Sequence, residues 1–184
     1  MNSLGYHEFQ FRQVRQIENT WYNDCVVIYC DMDQVVVNFL LGARHSLGVE
    51  FNDPSFSNEA EKWERISKFP EFWYTLPWMP NAEALWNRIK HHSPYVLTAF
   101  PNLSPNAVAQ KKLWCSHHLG LPDHRCLTVP KREDKQIFAI TGNIPNLLID
   151  DHPKNIQEWI AAGGIGIIHH TVPETLERLT EYGL

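Results

Sequence analysis

From residue 25 onward the chain alternates short apolar runs with longer segments in which apolar residues recur every three or four positions. Short runs of β-branched and aromatic residues predict buried strands, and the periodic segments predict helices. The alternation is typical of an α/β protein with a mainly parallel sheet and helices on both faces. The predicted strands lie at 26–30, 95–98, 125–129, 147–149 and 165–168.

Turn and cap residues support the helices that this pattern predicts. Pro105, Pro153 and Pro173 suit the first turn of a helix, where a backbone N–H is not needed, while Gly120 and Gly163 suit the position just after a helix end. The predicted helices of the core lie at 81–91, 105–118, 134–140, 153–161 and 173–181.

The interval after the first strand breaks the alternation. A turn is predicted at 52–55 and a charged helix at 59–68, followed by an aromatic and proline-rich segment. We therefore expect a Rossmann-like three-layer sandwich, formed by 1–38 and 81–184, with a small helical cap, 39–80, inserted after the first strand. Residues 9–17 could line either an extra strand or a short helix.

Composition restricts the class of protein. The 184 residues are 43% hydrophobic, which predicts a globular fold with one well-filled core. A net charge of −5 argues against a broad basic face for long nucleic acid.

The four cysteines show neither zinc-ligand spacing nor a disulfide framework, and we interpret them as reduced core thiols. No stretch is long and apolar enough to span a membrane, so we expect a cytoplasmic protein; a homodimer is left open.

Acidic residues follow two of the predicted strands. Asp31 and Asp33 come directly after the first strand, and Asp150 and Asp151 end the run that begins at Leu147. Because all carboxyl ends of a parallel sheet lie at one edge, we expect these carboxylates to converge there. Two unit charges ~4 Å apart repel by about 4 kcal/mol at an effective dielectric near 20. A divalent cation would relieve this repulsion, and oxygen-only ligands favour Mg²⁺ over Zn²⁺.

With Thr98 at the end of the second strand, these residues resemble the ordered motifs of the haloacid-dehalogenase-like phosphatases. The resemblance implies a haloacid-dehalogenase-like core and an aspartyl-phosphate mechanism, in which Asp31 attacks phosphorus. Asp33 then protonates the leaving alcohol and later activates a water. It also implies a Mg²⁺ site formed by Asp31, Asp33, Asp150 and Asp151. Since the dehalogenase and ion-pump branches lack an acid at position 33, Asp33 favours phosphoester hydrolysis.

The family also uses a lysine that holds the phosphate, and three lysines are candidates here. Lys111 is the first choice, because its segment through Trp114 resembles the corresponding helix of the 5'(3')-deoxyribonucleotidases. Lys131 and Lys135, which follow the third predicted strand, are the rivals. Ala99 stands where that subfamily has a small polar residue, so its backbone amide would have to contact the phosphate.

The resemblance to the deoxyribonucleotidases spans roughly 26–153 and implies a nucleobase stacked against cap aromatics. Stacking of a base on an aromatic side chain contributes ~1–3 kcal/mol. The candidates for this pocket are Phe39, Trp63, Phe72 and Trp73, although core packing is an equally physical reason for such a cluster.

The expected activity is Mg²⁺-dependent hydrolysis of a small phosphomonoester, a nucleoside monophosphate and preferably a deoxyribonucleotide. Two alternatives stay open: a phosphatase of a sugar phosphate or of a 3'-phosphate on a DNA end, and a nucleotide-binding protein with little turnover. An unrelated Asp-x-Asp metal enzyme, such as a glycosyltransferase, does not predict Thr98 and Asp150 at strand ends.

Overall fold

The computed structural model describes residues 26–184. The open alternative at residues 9–17 and the thiol of Cys25 lie outside this range. The other three cysteines, Cys30, Cys115 and Cys126, are free and buried, which confirms their interpretation as reduced core thiols.

Seven strands form two sheets in the described residues. The strands are β1 (Ile28–Cys30), β2 (Tyr95–Ala99), β3 (Cys126–Val129), β4 (Ile140–Thr141), β5 (Ile144–Pro145), β6 (Leu147–Asp150) and β7 (Ile165–Ile168). A five-stranded sheet forms the centre of the fold, in the order β3-β2-β1-β6-β7, and all of its neighbouring strands pair in parallel. A separate two-stranded hairpin, β4 and β5, lies between β3 and β6 in the chain.

Helices cover both faces of the sheet, as expected for three layers. Because successive strand residues point to opposite faces, Ile28 and Cys30 join one apolar cluster and Tyr29 joins the other. The helices are α1 (Phe39–Leu47), α2 (Glu59–Ser67), α3 (Ala82–Ile89), α4 (Ala107–Leu119), α5 (Pro153–Ala161) and α6 (Val172–Glu181). α5 packs on the face with Tyr29, while residues of α3, α4 and α6 belong to the cluster on the other face.

The structure differs from the sequence analysis at two places. The helix predicted at 134–140 is a 3-10 helix, Arg132–Phe138, followed by the β4–β5 hairpin. The side chain of Asn146 stabilises this shape, since its Nδ2 donates to Phe138 O at 2.8 Å and to Thr141 Oγ1 at 2.9 Å. The sequence also gave no prediction for α1, whose start is capped by Asn38 through a 3.0 Å bond from Leu41 N–H.

The order of the strands places a crevice at the end of β1. After β1 the chain builds β2 and β3 on one side and later adds β6 and β7 on the other, so β1 and β6 flank the point where the order reverses. Ligands of open α/β sheets bind outside the carboxyl ends of the strands at such a point. No helix within residues 26–184 has the length and apolar character needed to cross a membrane.

Candidate active site

Asp31 lies at this switch point, directly after β1. Its backbone N–H donates to Ile149 O at 2.8 Å, so the pairing with β6 continues one residue beyond the strand and fixes the start of the loop. Only 6% of Asp31 is exposed. Burial raises the pKa of its carboxyl group, the ammonium of Lys135 opposes the rise, and the carboxylates of Asp150 and Asp33 add to it. The charged form of Asp31 is therefore costly without further positive charge.

Lys135 bridges two of the carboxylates. Its Nζ lies 2.8 Å from Asp31 Oδ1 and 2.7 Å from Asp150 Oδ2, and its side chain is almost completely buried. Burial acts to lower the pKa of Lys135, but the charges of Asp31 and Asp150 together raise it above its ordinary value. The ammonium thus stays charged and fixes the two carboxylates relative to each other.

Both oxygens of the Asp150 carboxylate accept hydrogen bonds. The backbone N–H of His152 donates to Oδ1 at 2.9 Å, and Asn155 Nδ2 lies 2.9 and 3.0 Å from the two oxygens. With Lys135 on Oδ2, every side of this fully buried group is occupied by a donor. Asp150 therefore has little free lone-pair capacity for another ligand.

Asn155 is a functional candidate that the sequence analysis missed. It lies in the first turns of α5 on the same buried face as Ile156 and Trp159. A polar residue on an otherwise apolar helix face needs a buried partner, and this pattern was the signal that could have found it.

Three carboxylates can approach one metal ion. Oxygen atoms of Asp31, Asp150 and Asp151 all lie within 4.8 Å of one another. Burial, and then the charge of Asp150, raise the pKa of Asp151 to about 6. The side chain of Asp33 is not part of this group, which differs from the predicted ligand set. Its Oδ2 instead lies 2.6 Å from Lys111 Nζ.

The donor set fits a hard divalent cation. All three candidate groups are carboxylates, and burial together with the charge of Asp150 raises the pKa values of Asp31 and Asp151, which makes their charged forms costly without a further cation. Mg²⁺ prefers oxygen ligands and keeps several of its waters, so one or two carboxylates suffice. Asp151 is only partly buried and Asp150 is saturated with donors, so Asp31 and Asp151 are the residues best placed to ligate it.

The ammonium of Lys111 makes a second set of buried polar contacts, separate from those of Lys135. Its Nζ donates to Asp33 Oδ2 at 2.6 Å, to Thr98 Oγ1 at 2.9 Å and to Ala99 O at 3.0 Å, so all three of its protons are used. The ammonium also lies 4.6 Å from the ring centroid of Trp73. Lys111 thus connects the end of β2 to Asp33 and does not contact the carboxylate of Asp31.

The position of Lys111 on α4 explains its burial. Ala107, Trp114 and Cys115 form the buried face of this helix, and Lys111 falls on the same face, one turn from each. A lysine at a core position of an amphipathic helix is unusual unless it is paired. The sequence therefore held a signal for Lys111 beyond the resemblance of its segment to the corresponding helix of the deoxyribonucleotidases.

The remaining predicted residues differ in how they face the site. Thr98 is fully buried and its hydroxyl contacts Lys111. Lys131 is exposed at the start of the 3-10 helix, where its backbone N–H donates to Asp134 Oδ2 at 3.2 Å. None of the contacts described for residues 26–184 joins the Lys131 side chain to the carboxylate cluster.

The four candidate aromatics lie in one cluster. Phe39 stacks on Trp73 with ring centroids 5.5 Å apart, and Trp63 stacks on Trp73 at 6.0 Å. Phe72 contacts both Phe39 and Trp73 edge to face. Phe72 and Trp73 are only 5% and 2% exposed, whereas Phe39 and Trp63 are half-buried. In this conformation only Phe39 and Trp63 offer appreciable surface to a ligand.

With nucleophile and acid candidates after β1, metal-binding candidates at the end of β6 and Thr98 in β2, the site resembles that of the haloacid-dehalogenase-like phosphatases. No family model matches the chain. A curated protein of Vibrio phage KVP40, provisionally named 5'(3')-deoxyribonucleotidase, is 28% identical over 144 residues, which span 77% of this chain and 75% of that protein. This similarity confirms the resemblance that the motifs indicated.

Two solved structures are similar to this chain over most of its length. A hydrolase from Streptococcus pneumoniae TIGR4 covers 83% of this chain and 97% of its own, with 12% identity and a TM-score of 0.47. A HAD hydrolase of family IA, variant 3, from Entamoeba histolytica covers 83% of this chain and 88% of its own, with 13% identity and a TM-score of 0.43.

Proposed function

We propose that the protein is a Mg²⁺-dependent phosphomonoesterase that works through an aspartyl-phosphate intermediate. The observation that carries the proposal is the ammonium of Lys135 between Asp31 Oδ1 and Asp150 Oδ2, at 2.8 and 2.7 Å, in the crevice after β1. A buried carboxylate fixed beside a cation and next to an acid is the arrangement that nucleophilic attack on phosphorus requires.

We assign each residue of the site a separate role in the reaction. Lys135 occupies Oδ1 of Asp31, so Oδ2 is the oxygen that attacks phosphorus. As the phosphorus–oxygen bond to the substrate breaks, Asp33 gives a proton to the departing alcohol. Asp33 Oδ1 is enclosed and has no partner within the described chain, so it can carry that proton while Lys111 holds Oδ2. Mg²⁺, held by Asp31 and Asp151, would polarise the phosphoryl oxygens and offset their charge.

A metal-binding experiment tests the assignment of ligands. Asp151→Asn should lower the affinity for Mg²⁺ by about 100-fold and leave the thermal unfolding midpoint within a few degrees of wild type, because this side chain is only partly buried. Asp150→Asn should instead lower the unfolding midpoint, since it disturbs the contacts with Lys135 and Asn155. Calorimetric titration with Mg²⁺ and thermal unfolding measure the two effects. Wild-type Mg²⁺ affinity in Asp151→Asn would exclude this residue as a ligand.

For the substrate, we propose a nucleoside monophosphate, preferably a deoxyribonucleotide, with residues 39–80 acting as a cap over the site. The support is the curated phage relative, together with the aromatic cluster that follows Asp33 in the chain. The half-buried rings of Phe39 and Trp63 are the surfaces on which a base can stack. A sugar phosphate, a DNA 3'-phosphate or binding with little turnover are the alternatives that a substrate panel separates.

Trp63 gives the sharpest test of base recognition. Trp63→Leu should raise the KM for a deoxyribonucleotide by about 10-fold, because stacking contributes ~1–3 kcal/mol per base, and should leave the kcat/KM for phenyl phosphate unchanged. Steady-state kinetics on nucleotides, sugar phosphates and phenyl phosphate measure both. Equal activity of the wild type on all three classes of substrate would contradict the proposed preference for nucleotides, but not the proposed phosphatase activity.

A further inference from the structure

The indole ring of Trp73 lies over the buried ammonium of Lys111. Lys111 Nζ is 4.6 Å from the centroid of this ring, and the two residues are 2% and 0% exposed. All three protons of the ammonium are already donated, to Asp33 Oδ2, Thr98 Oγ1 and Ala99 O. The ring therefore adds no hydrogen bond. It offers the negative face of its π system to the cation and occupies space from which water would compete for those protons.

Hydrogen bonds fix the indole in this place. Its Nε1–H donates to Ser104 Oγ at 2.8 Å, in the loop after β2. The backbone N–H of Trp73 donates to Gln110 Oε1 at 3.0 Å, and Gln110 Nε2 donates to Pro70 O. Gln110 directly precedes Lys111 on α4. Trp73 is thus anchored both to the helix that carries the ammonium and to the loop that follows the strand with two of its three acceptors.

The burial of Trp73 argues against direct contact with a substrate. A ring that is 2% exposed offers almost no surface on which a base could stack, although Trp73 is one of the four candidates for such a pocket. The ring can still act on the reaction through Lys111. That ammonium holds Oδ2 of Asp33, the proposed acid, at 2.6 Å.

We propose that Trp73 is a positioning residue for protonation of the leaving group, an inference that rests on the proposed function. As the Asp31 oxygen bonds to phosphorus, the bond from phosphorus to the substrate oxygen breaks, and its electron pair stays on that oxygen. The oxygen takes the proton of Asp33, which becomes a carboxylate beside the ammonium of Lys111. Trp73 keeps that ammonium at Oδ2 and so fixes the direction of the acid.

The choice of leaving group isolates this step. An alkoxide leaves phosphorus only with a proton, whereas p-nitrophenolate is a stable anion near neutral pH and needs little help from an acid. β-Glycerol phosphate and p-nitrophenyl phosphate, both with Mg²⁺, are therefore the two probes, and neither carries a nucleobase. Their kcat/KM values report the steps up to the aspartyl phosphate, so hydrolysis of that intermediate does not enter the comparison.

Trp73→Leu should lower kcat/KM for β-glycerol phosphate by about 30-fold, part of the roughly 10²–10⁴-fold that a positioned acid contributes, and that for p-nitrophenyl phosphate by less than about 3-fold. Trp73→Phe keeps an aromatic face for the ammonium and should retain most of the activity on both probes. Trp86→Leu is the matched control, since Trp86 is 5% exposed and its indole N–H also makes a hydrogen bond, to Leu119 O at 3.2 Å. It should leave the ratio of the two kcat/KM values as in wild type.

Fluorinated tryptophan at position 73 tests the same contact without a large change of shape. Fluorine weakens the negative face of the ring and leaves the indole N–H available for Ser104. The kcat/KM for β-glycerol phosphate should fall with each added fluorine, while that for p-nitrophenyl phosphate stays constant. This series decides the matter even where Trp73→Leu does not fold.

Equal losses on the two probes in Trp73→Leu, or no trend along the fluorine series, would overturn the role of Trp73, because a ring that serves packing alone affects both probes alike. Asp33→Asn separates that result from a failure of the proposed function. It removes the acid itself and should show the same selective loss, and a larger one. Selectivity in Asp33→Asn without selectivity at position 73 contradicts only the role of Trp73. No selectivity in Asp33→Asn contradicts Asp33 as the acid, and this inference with it.

Discussion

Asp31→Asn is expected to reduce hydrolysis of phosphomonoesters by more than about 10⁴-fold, because an amide cannot form the acyl phosphate and removing a nucleophile costs most of the catalysed rate. The fold should survive the change. Burial and the neighbouring carboxylates make the charge of Asp31 costly, and Lys135 keeps its contact with Asp150 in the variant. The unfolding midpoint should therefore stay at or above that of wild type.

The measurement is release of p-nitrophenol in the presence of Mg²⁺, with thermal unfolding of the same preparations. Asp123→Asn, an identical exchange at an exposed position before β3, serves as the matched control and should retain full activity. Beryllium fluoride should protect the wild type against unfolding and should not protect Asp31→Asn. Full turnover by Asp31→Asn would contradict the proposed mechanism outright.

Much of the fold could be predicted because its signals are local. Each strand of the main sheet is a short apolar run, and the predicted helix at 153–161 coincides with α5, where Pro153 occupies the first turn. The 3-10 helix and the β4–β5 hairpin could not be predicted, because Asn146 shapes them through contacts between residues that carry no periodic pattern. The start of α1 depends on one Asn38 side chain and was missed for the same reason.

The candidate site, too, could be predicted only in part from the sequence. Asp31, Thr98 and Asp150 could be brought together from sequence, since parallel strands carry their final residues to one edge. The lysines could not be assigned, because each reaches the site from a helix whose rotation and depth are set by packing. Lys135 contacts Asp31, whereas Lys111, the first choice from the resemblance, contacts Asp33. The family resemblance indicated that a lysine takes part, and tertiary packing decided which carboxylate each lysine contacts.

The two lysines should therefore give different defects when each is replaced by methionine. Lys135→Met leaves Asp31 and Asp150 buried without their shared cation, so the free energy of unfolding should fall by about 3–5 kcal/mol, and activity should be lost. Lys111→Met leaves Asp33 without its ammonium partner, but the Asp33 side chain is 28% exposed and can be hydrated instead. The free energy of unfolding of Lys111→Met should therefore fall by only about 1–3 kcal/mol. Its kcat should fall by about 100-fold, because Asp33, the proposed acid, loses the ammonium that holds it.

Urea unfolding and steady-state kinetics measure these effects, and one double variant isolates their cause. Adding Asp150→Asn to Lys135→Met removes one of the unpaired charges, so it should restore part of the lost stability without restoring activity. Such non-additivity is the signature of two groups in direct contact. If Lys135→Met were as stable and active as wild type while Lys111→Met were inactive, Lys111 would be the residue that supports the nucleophile. Equal losses in both variants, with no recovery in the double variant, would show that neither lysine acts through the carboxylate it contacts.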